Sequence, residues 1–250
     1  MKIKDLLLED PTCNNFLSYI NNKKGNLGFG FINNVPVYFN EIKKQIWIIN
    51  QSKKIQLDND FLNEIIFHKF NEINLGENTS FDIEDELKLK YLNFSKYIQG
   101  ISTYDTKRLP TIKPLSSEFI LESVNKKNFE ESINFLYEEN FYPQSIKAWK
   151  EIYYENILGF IIRNKNNKIV ANISCVYQTD DFGVIWGVAT NKKYRKRGLA
   201  THLVMQIIDS LISLNKRPLL YFTDEKIGNF YKKMGFETNH YLTTYLKNSK

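Results

Sequence analysis

An α/β fold, a sheet with helices on both faces, is what this sequence predicts, and three observations carry that prediction. Apolar runs of strand length alternate with amphipathic helices through residues 118–250. The run Val184-Ile-Trp-Gly-Val-Ala189 is short and continuously apolar, as in a buried strand. Beyond it, Leu199/Ala200, Leu203/Val204, Ile207/Ile208 and Leu211/Ile212 recur as adjacent pairs every four residues. A helical stripe of that width must pack on a sheet.

Taken in order, the first half offers fewer elements. Leu27-Gly-Phe-Gly-Phe31 holds a glycine pair that reads as a tight strand turn. Gln45-Ile-Trp-Ile-Ile-Asn50 reads as a strand, and two amphipathic helices follow, Phe61 to Phe70 and Glu84 to Ile98. Residues 1–104 are therefore expected to form a second, smaller α/β domain. Residues 105–117 carry two prolines and little periodicity, the composition of a linker.

From residue 118 the elements follow closely. Phe119 to Val124 is a strand, Phe129 to Glu139 a helix, and Ser145 to Tyr154 a second helix with Ile146, Trp149, Ile152 and Tyr153 on one side. Leu158 to Ile162 and Ile169 to Tyr177 form a hairpin around Asn164-Lys-Asn-Asn167. The Val184 strand and the long helix come next, then a strand, Arg217-Pro-Leu-Leu-Tyr-Phe222, and a last helix that Gly235 closes from the position after its C-cap.

Composition narrows the function classes. At 250 residues, 42% apolar and 14% aromatic, the chain can bury a proper core and is no disordered tail. No apolar stretch reaches the roughly 18 residues of a membrane helix. The first ten residues hold three leucines in a row before acids resume, too few for a signal peptide. Cys13 and Cys175 give neither a disulfide framework nor a metal-binding spacing. A cytoplasmic protein without membrane or metal is expected. Of the net charge of +6, residues 116–250 supply the larger part, with 19 Lys/Arg against 14 Asp/Glu. A local excess without a basic stripe or a zinc or helix-turn-helix spacing disfavours nucleic acid as a partner.

That local excess sits in Thr190-Asn-Lys-Lys-Tyr-Arg-Lys-Arg-Gly-Leu-Ala-Thr201. Lys192, Lys193, Arg195, Lys196 and Arg197 place five cations between a buried strand and a helix whose first turn is nearly bare at Gly198 and Ala200. A helix N-terminus offers unpaired N–H groups and a partial positive charge, so this arrangement suits a phosphate or pyrophosphate. A solvated basic face is the bland alternative. Downstream, Asn229-Phe-Tyr-Lys-Lys-Met-Gly-Phe236 adds a second local signature in the right order.

The spacing Arg195-x-x-Gly198-x-Ala200 resembles the acyl-CoA motif of the GNAT superfamily of N-acyltransferases, Gln/Arg-x-x-Gly-x-Gly/Ala. The later segment is similar to the family's strand five and following helix, with Tyr231-Lys-Lys-Met-Gly-Phe236 at its end. The resemblance covers the second half, residues 118–250. It implies a mixed, mostly antiparallel central sheet flanked by helices, and acetyl-CoA as co-substrate. Strand four would splay from strand five, so that Val188, Ala189 and Thr190 pair with the pantetheine arm like an added strand. The pyrophosphate would rest on the amides of Arg195, Lys196, Arg197, Gly198, Leu199, Ala200 and Thr201. At Gly198 a Cβ would obstruct the phosphate's approach. Tyr231 would be the general acid for the departing sulfur; its place in the stripe Ile227, Phe230, Tyr231, Met234 also suits a core residue.

Departures from the pattern matter as well. Where relatives often carry Asn, this chain has Asp224, assigned to the cofactor side although an ionised carboxylate cannot donate. Relatives often place an acidic base on strand four; Ile185-Trp-Gly-Val has none. Asp180 and Asp181 precede that strand and read better as turn residues, and His202 lies off the helical stripe as a surface residue. No Arg-x-x-Gly-x-Ala occurs before residue 115, so residues 1–104 are expected to be a degenerate GNAT-like unit on the acceptor side. The expected activity is acetyl transfer to a primary amine of a small molecule or protein. A non-catalytic acyl-CoA-binding or sensing module is the alternative.

Overall fold

Strand pairing gives the chain its architecture. The computed structural model describes residues 27–33, 35–41, 44–48, 54–105, 114–139 and 157–248. Its elements are β1 (Leu27–Ile32), β2 (Val35–Asn40), β3 (Gln45–Ile48), β4 (Ile55–Leu57), α1 (Asn59–Phe67), β5 (Glu72–Leu75), β6 (Thr79–Phe81), α2 (Ile83–Tyr91) and β7 (Phe94–Tyr104). They continue with β8 (Phe119–Ser123), α3 (Phe129–Glu138), β9 (Leu158–Asn164), β10 (Ile169–Gln178), β11 (Phe182–Thr190), a 3-10 turn (Lys192–Tyr194), α4 (Leu199–Ser213), β12 (Arg217–Phe222), α5 (Glu225–Lys232) and β13 (Phe236–Lys247).

These divide into two compact units with an interleaved chain. The first comprises Met1–Ser102, Phe222–Gly228 and Thr238–Lys250, and the second Thr103–Tyr221 and Asn229–Glu237. Strands of the first run in the order β1-β2-β3-β5-β13-β7. Pairing is antiparallel for β1 with β2, β2 with β3 and β5 with β13, and parallel for β3 with β5; a separate parallel pair joins β4 to β6. Alternate residues Ile46, Ile48, Ile73 and Leu75 face the helical residues Phe61, Leu62 and Ile65 in one core. Both helices are capped by aspartates: the N–H of Phe61 donates to Asp58, and that of Asp85 to Asp82.

In the second unit the order is β12-β11-β10-β9-β8. Pairing is antiparallel except for β11 and β12, which run parallel with α4 as the crossover between them. The β9–β10 turn is closed by Asn164, whose side-chain oxygen accepts from the N–H groups of Asn166 and Lys168. Helix α3 packs Phe129, Ile133 and Leu136 against Ile161, Val176 and Ala189. Helix α4 covers the other face, with Leu211 beside Cys175 where a side chain at Gly183 would lie. Helices thus occupy both faces of a mostly antiparallel sheet, as the sequence predicts. Burial of Cys175 pushes its thiol pKa up to about 12, which leaves it an inert core residue.

One buried charge ties β8, β9 and α3. Arg163, 6% exposed, donates through both terminal nitrogens to the two carboxylate oxygens of Glu131 at 2.6 Å, and through Nε to Glu122 at 2.9 Å. The fork geometry suits bidentate pairing. Hydrogen bonding from Arg163 holds the Glu131 carboxyl below its usual range, so this support is complete at neutral pH and is lost as acid protonates Glu131.

Three sequence expectations need comment. The helix expected over Glu84 to Ile98 stops at Tyr91, because Asn93 adopts φ 68° and Phe94 starts β7; an asparagine in the left-handed region ends a helix much as glycine does. Leu27 to Phe31 is no turn but strand β1, in which Gly28 makes room for the Phe39 ring of β2; a Cβ there would lie 2.1 Å from it. The helix expected over Ser145 to Tyr154 lies outside the described residues.

Packing of α3 leads to a stability prediction. Phe129 is fully buried, so Phe129→Ala is expected to lower the unfolding free energy by about 3–5 kcal/mol in urea titrations. Tyr137, on the outer side of the same helix, is 66% exposed, and Tyr137→Ala is expected to change it by less than about 0.5 kcal/mol. Equal effects would contradict the packing.

Candidate functional site

Strand β11 carries the first component. Its parallel register with β12 runs from Phe182 opposite Arg217 to Ile185 opposite Leu220, whereas β11 continues to Thr190. From Gly187 to Thr190, β10 is therefore the strand's only neighbouring strand among the described residues. In the same stretch the pairs Asn172–Ala189 and Ser174–Trp186 set Gly187 and Val188 against the single residue Ile173, a β-bulge. Gly187 has φ 63°, and a Cβ on it would stand 3.1 Å from Leu136. Val188 and Thr190 are half-buried and Ala189 is buried. The Thr190 hydroxyl oxygen is buried with no hydrogen-bond partner among the described residues.

The basic turn follows at once. Asn191 opens it by accepting from the Lys193 N–H, and its own amide donates to Glu139 at 2.7 Å. Arg195 Nε donates to the Thr190 carbonyl at 3.0 Å, tying turn to strand end. Arg197 is held over the Tyr194 ring, 5.4 Å from its centroid, with Nη1 3.5 Å from Glu118. Tyr194 is fixed in turn by the Asn164 amide at 2.8 Å and the edge of Phe119. Lys196 is exposed and makes no ion pair among the described residues. Its φ of 64° and that of Gly198, 79°, put two left-handed residues at the entry to α4. The first i→i−4 bond of α4 runs from the His202 N–H to Gly198, which leaves the N–H groups of Leu199, Ala200 and Thr201 ahead of it. A Cβ on Gly198 would meet no atom within 4 Å. Backbone conformation demands this glycine, and the space above it is open.

Tyr231 lies in the same unit, near the end of α5. It is 7% exposed and sits edge-on to Phe230 and Phe236. Burial raises its pKa strongly, and its hydroxyl makes no hydrogen bond among the described residues. The remaining residues singled out from the sequence are arranged differently. Asp224 belongs to the first unit and caps α5, accepting from the Lys226 N–H at 2.6 Å. Asp180 and Asp181 form the exposed turn at the opposite end of β11 from Thr190, and His202 is half-buried. The sequence reading passed over Ser132 and Asn172, which are fully buried beside the bulge. A glycine and an asparagine inside apolar strands were the available signals.

Among the described residues no group of three or more His, Cys, Asp or Glu could hold a metal, and no helix is long and apolar enough to cross a membrane. One open cavity of the first unit, about 780 Å³, is lined by Glu86, Leu87, Phe94, Lys96, Tyr97 and Tyr245. Its carboxylate is engaged, since Lys96 and the Tyr245 hydroxyl both donate to Glu86.

An open strand edge that leads into a basic turn and a bare helix start is the arrangement to set beside known proteins. The family model described as GNAT acetyltransferase matches residues 46–245. The chain belongs to the GNAT acetyltransferase family. This GNAT protein is an acyltransferase by family and by fold. Its structure resembles that of a GCN5-related N-acetyltransferase from Kribbella flavida, with TM-score 0.65 and 11% identity over 95% of this chain and 96% of that one. A GCN5-related N-acetyltransferase-like protein from Streptococcus suis gives TM-score 0.59 and 14% identity over 93% of each chain. A tandem GNAT protein from the clavulanic acid biosynthesis pathway gives TM-score 0.51 and 6% identity over 86% of this chain and 79% of that one. No curated protein matches the chain.

The conformation of Gly198 leads to a prediction independent of any ligand. Because space is open there, substitutions are expected to cost only what the left-handed backbone imposes, about 1–2 kcal/mol for Gly198→Ala and less for Gly198→Asn. Gly198→Val is expected to cost most, since a β-branched residue tolerates positive φ least. Thermal denaturation of the three variants checks the order. A Gly198→Val protein as stable as the original would contradict the assigned backbone.

Proposed function

We propose that this GNAT protein transfers an acetyl group from acetyl-CoA to a primary amine of a small molecule or protein, by direct attack in a ternary complex. The observation that carries the reading is the edge of β11, without a second neighbouring strand among the described residues from Gly187 to Thr190 and leading directly into the basic turn. An extended pantetheine arm would add to that edge as a further strand, on backbone groups of Val188, Ala189 and Thr190. The orphaned Thr190 hydroxyl offers it one more polar contact. The pyrophosphate would sit on the N–H groups of Leu199, Ala200 and Thr201, over the open space at Gly198, with Arg195, Lys196 and Arg197 around it.

In the reaction the neutral amine attacks the thioester carbonyl carbon. The new C–N bond forms, the C–S bond breaks, and the thiolate takes a proton while the amine gives one up. Tyr231 is assigned the first transfer. Burial keeps its phenol protonated, and a thiolate leaving into the same apolar surroundings is equally short of solvation, which favours proton transfer between them. Strand β11 bears no carboxylate, and Asp180 and Asp181 lie at its far end, so the amine proton is assigned to water. Asp224 is left out of the scheme because its carboxylate already caps α5. Residues 1–104 are assigned to the acceptor side, as a divergent GNAT-like unit, a reading that the likeness to a tandem GNAT protein supports.

A second reading, a non-catalytic acyl-CoA sensor, draws on the absent carboxylate and the unbonded Tyr231 hydroxyl. Thiol release from acetyl-CoA in the presence of a pooled amine panel separates the two. Calorimetry is expected to show that Gly198→Asp lowers acetyl-CoA affinity at least about 100-fold, since it brings a negative charge to the phosphate seat. Gly198→Asn, of the same shape without charge, is expected to lose much less. Unchanged binding by Gly198→Asp would reject the site. Tyr231→Phe is expected to reduce turnover by about 10²-fold at unchanged acetyl-CoA affinity; full turnover in a folded variant would return Tyr231 to the core.

A further inference from the structure

Ser132, Asn172 and Ser174 are three polar side chains with 0% or nearly 0% exposure in a region otherwise built from Phe129, Ile133, Leu136 and Ile161. Buried polar groups lower stability unless they are hydrogen-bonded, so their bonds say what they are for. The Ser132 hydroxyl donates to Asn172 Oδ1 at 2.7 Å. That contact settles which way the amide points. Its Nδ2 is turned to the strand, where it donates to the Gly187 carbonyl at 3.0 Å and lies 3.4 Å from Ser174 Oγ.

Gly187 is the bulge residue, and its carbonyl is drawn toward the face that α3 covers. Every peptide bond among the described residues is trans. In a trans peptide the C=O and the next N–H point in opposite directions. Fixing the Gly187 carbonyl on Asn172 therefore sends the Val188 N–H away from α3. This happens in the first stretch of β11 beyond its last pair with β12, Ile185 with Leu220.

We propose that Asn172, oriented by Ser132, is a positioning residue that holds the Gly187–Val188 peptide so that the Val188 N–H is presented to the carbonyl oxygen of a bound thioester. This rests on the assignment of the β11 edge to the acyl donor. Asn172 touches neither donor nor acceptor and acts through the peptide it holds. Without its donor, the Gly187 carbonyl has no reason to stay on the α3 side and the peptide is free to rotate.

The test uses the full chain with acetyl-CoA labelled with 13C at the thioester carbonyl. Isotope-edited infrared spectra report how strongly that carbonyl is hydrogen-bonded and need no acceptor. In the wild-type protein the band is expected to move to lower frequency on binding. In Asn172→Leu, which is of similar size and has no donor in any protonation state, it is expected to return toward its free position. Affinity measured by calorimetry is expected to stay within about threefold, because the phosphate turn is untouched. Turnover with any amine accepted is expected to fall about tenfold or more at unchanged KM for acetyl-CoA, within the range for losing a carbonyl-binding donor. Ser132→Ala, which leaves Asn172 in place but unoriented, is expected to shift the band in the same direction and serves should Asn172→Leu fail to fold. A wild-type band and wild-type turnover in either folded variant overturn the proposal, as does a wild-type protein that binds acetyl-CoA without moving the band. A wild-type protein that does not bind acetyl-CoA overturns the donor-site assignment, and this role with it.

Discussion

Among the described residues, strand β11 has a neighbouring strand on both sides as far as Ile185 and on one side from Gly187 onward. Unpaired backbone inside a protein is costly, so a sheet opens only where something else enforces the separation. Here the bulge at Gly187 and Val188 does so, by twisting the strand out of the register it keeps with β12 over four pairs. The bulge in turn depends on α3, whose Leu136 fills the space a side chain on Gly187 would need and whose Ser132 orients Asn172. A packed helix, a buried amide and one glycine thus combine to leave Gly187 to Thr190 without a second neighbouring strand among the described residues. The rest of the second unit is arranged about that opening.

The turn beyond the opening is fixed to the sheet by several independent contacts. Arg195 reaches back to Thr190, Arg197 stands on Tyr194 and near Glu118, and Asn191 is tied to Glu139. A basic loop with so many anchors resists the spreading that like charges would otherwise impose. Its cations are consequently not equivalent. Lys196 makes no ion pair among the described residues, while Arg195 and Arg197 already serve the fold. Substituting either arginine would therefore disturb the turn as well as remove charge, and Lys196 offers a cleaner way to vary charge alone.

The second unit was the legible part of the sequence. Long-period signals, such as the paired apolar residues of α4 and the turn at Asn164, depend on local pattern and survive into the structure. The basic turn and Gly198 were legible for the same reason, because a strand, a turn and a helix start are contiguous. Asn172 and Ser132 were not, since their meaning comes from a contact across forty residues that no local pattern encodes. The first unit resisted for a related reason. Gly28 looks like a turn residue until the Phe39 ring that lies over it is known, and the helix starting at Ile83 ends on the left-handed Asn93 instead of on an apolar break. Asp224, assigned to the cofactor side by analogy, has in addition a local role that its place before a helix makes legible, as the cap of α5.

Strand β13 lies between β5 and β7 in the first unit, with Thr243 opposite Leu75 and Leu246 opposite Glu72. The sheet of that unit is therefore completed by residues far downstream of its first strands. A ribosome delivers Leu75 long before Thr243, so while the second unit is being made the first has a gap where its inner strand belongs. Its early strands must wait with their edges unpaired, through the most aggregation-prone period of the protein's life. Vectorial synthesis thus delivers the five strands of the second unit's sheet before the inner strand of the first.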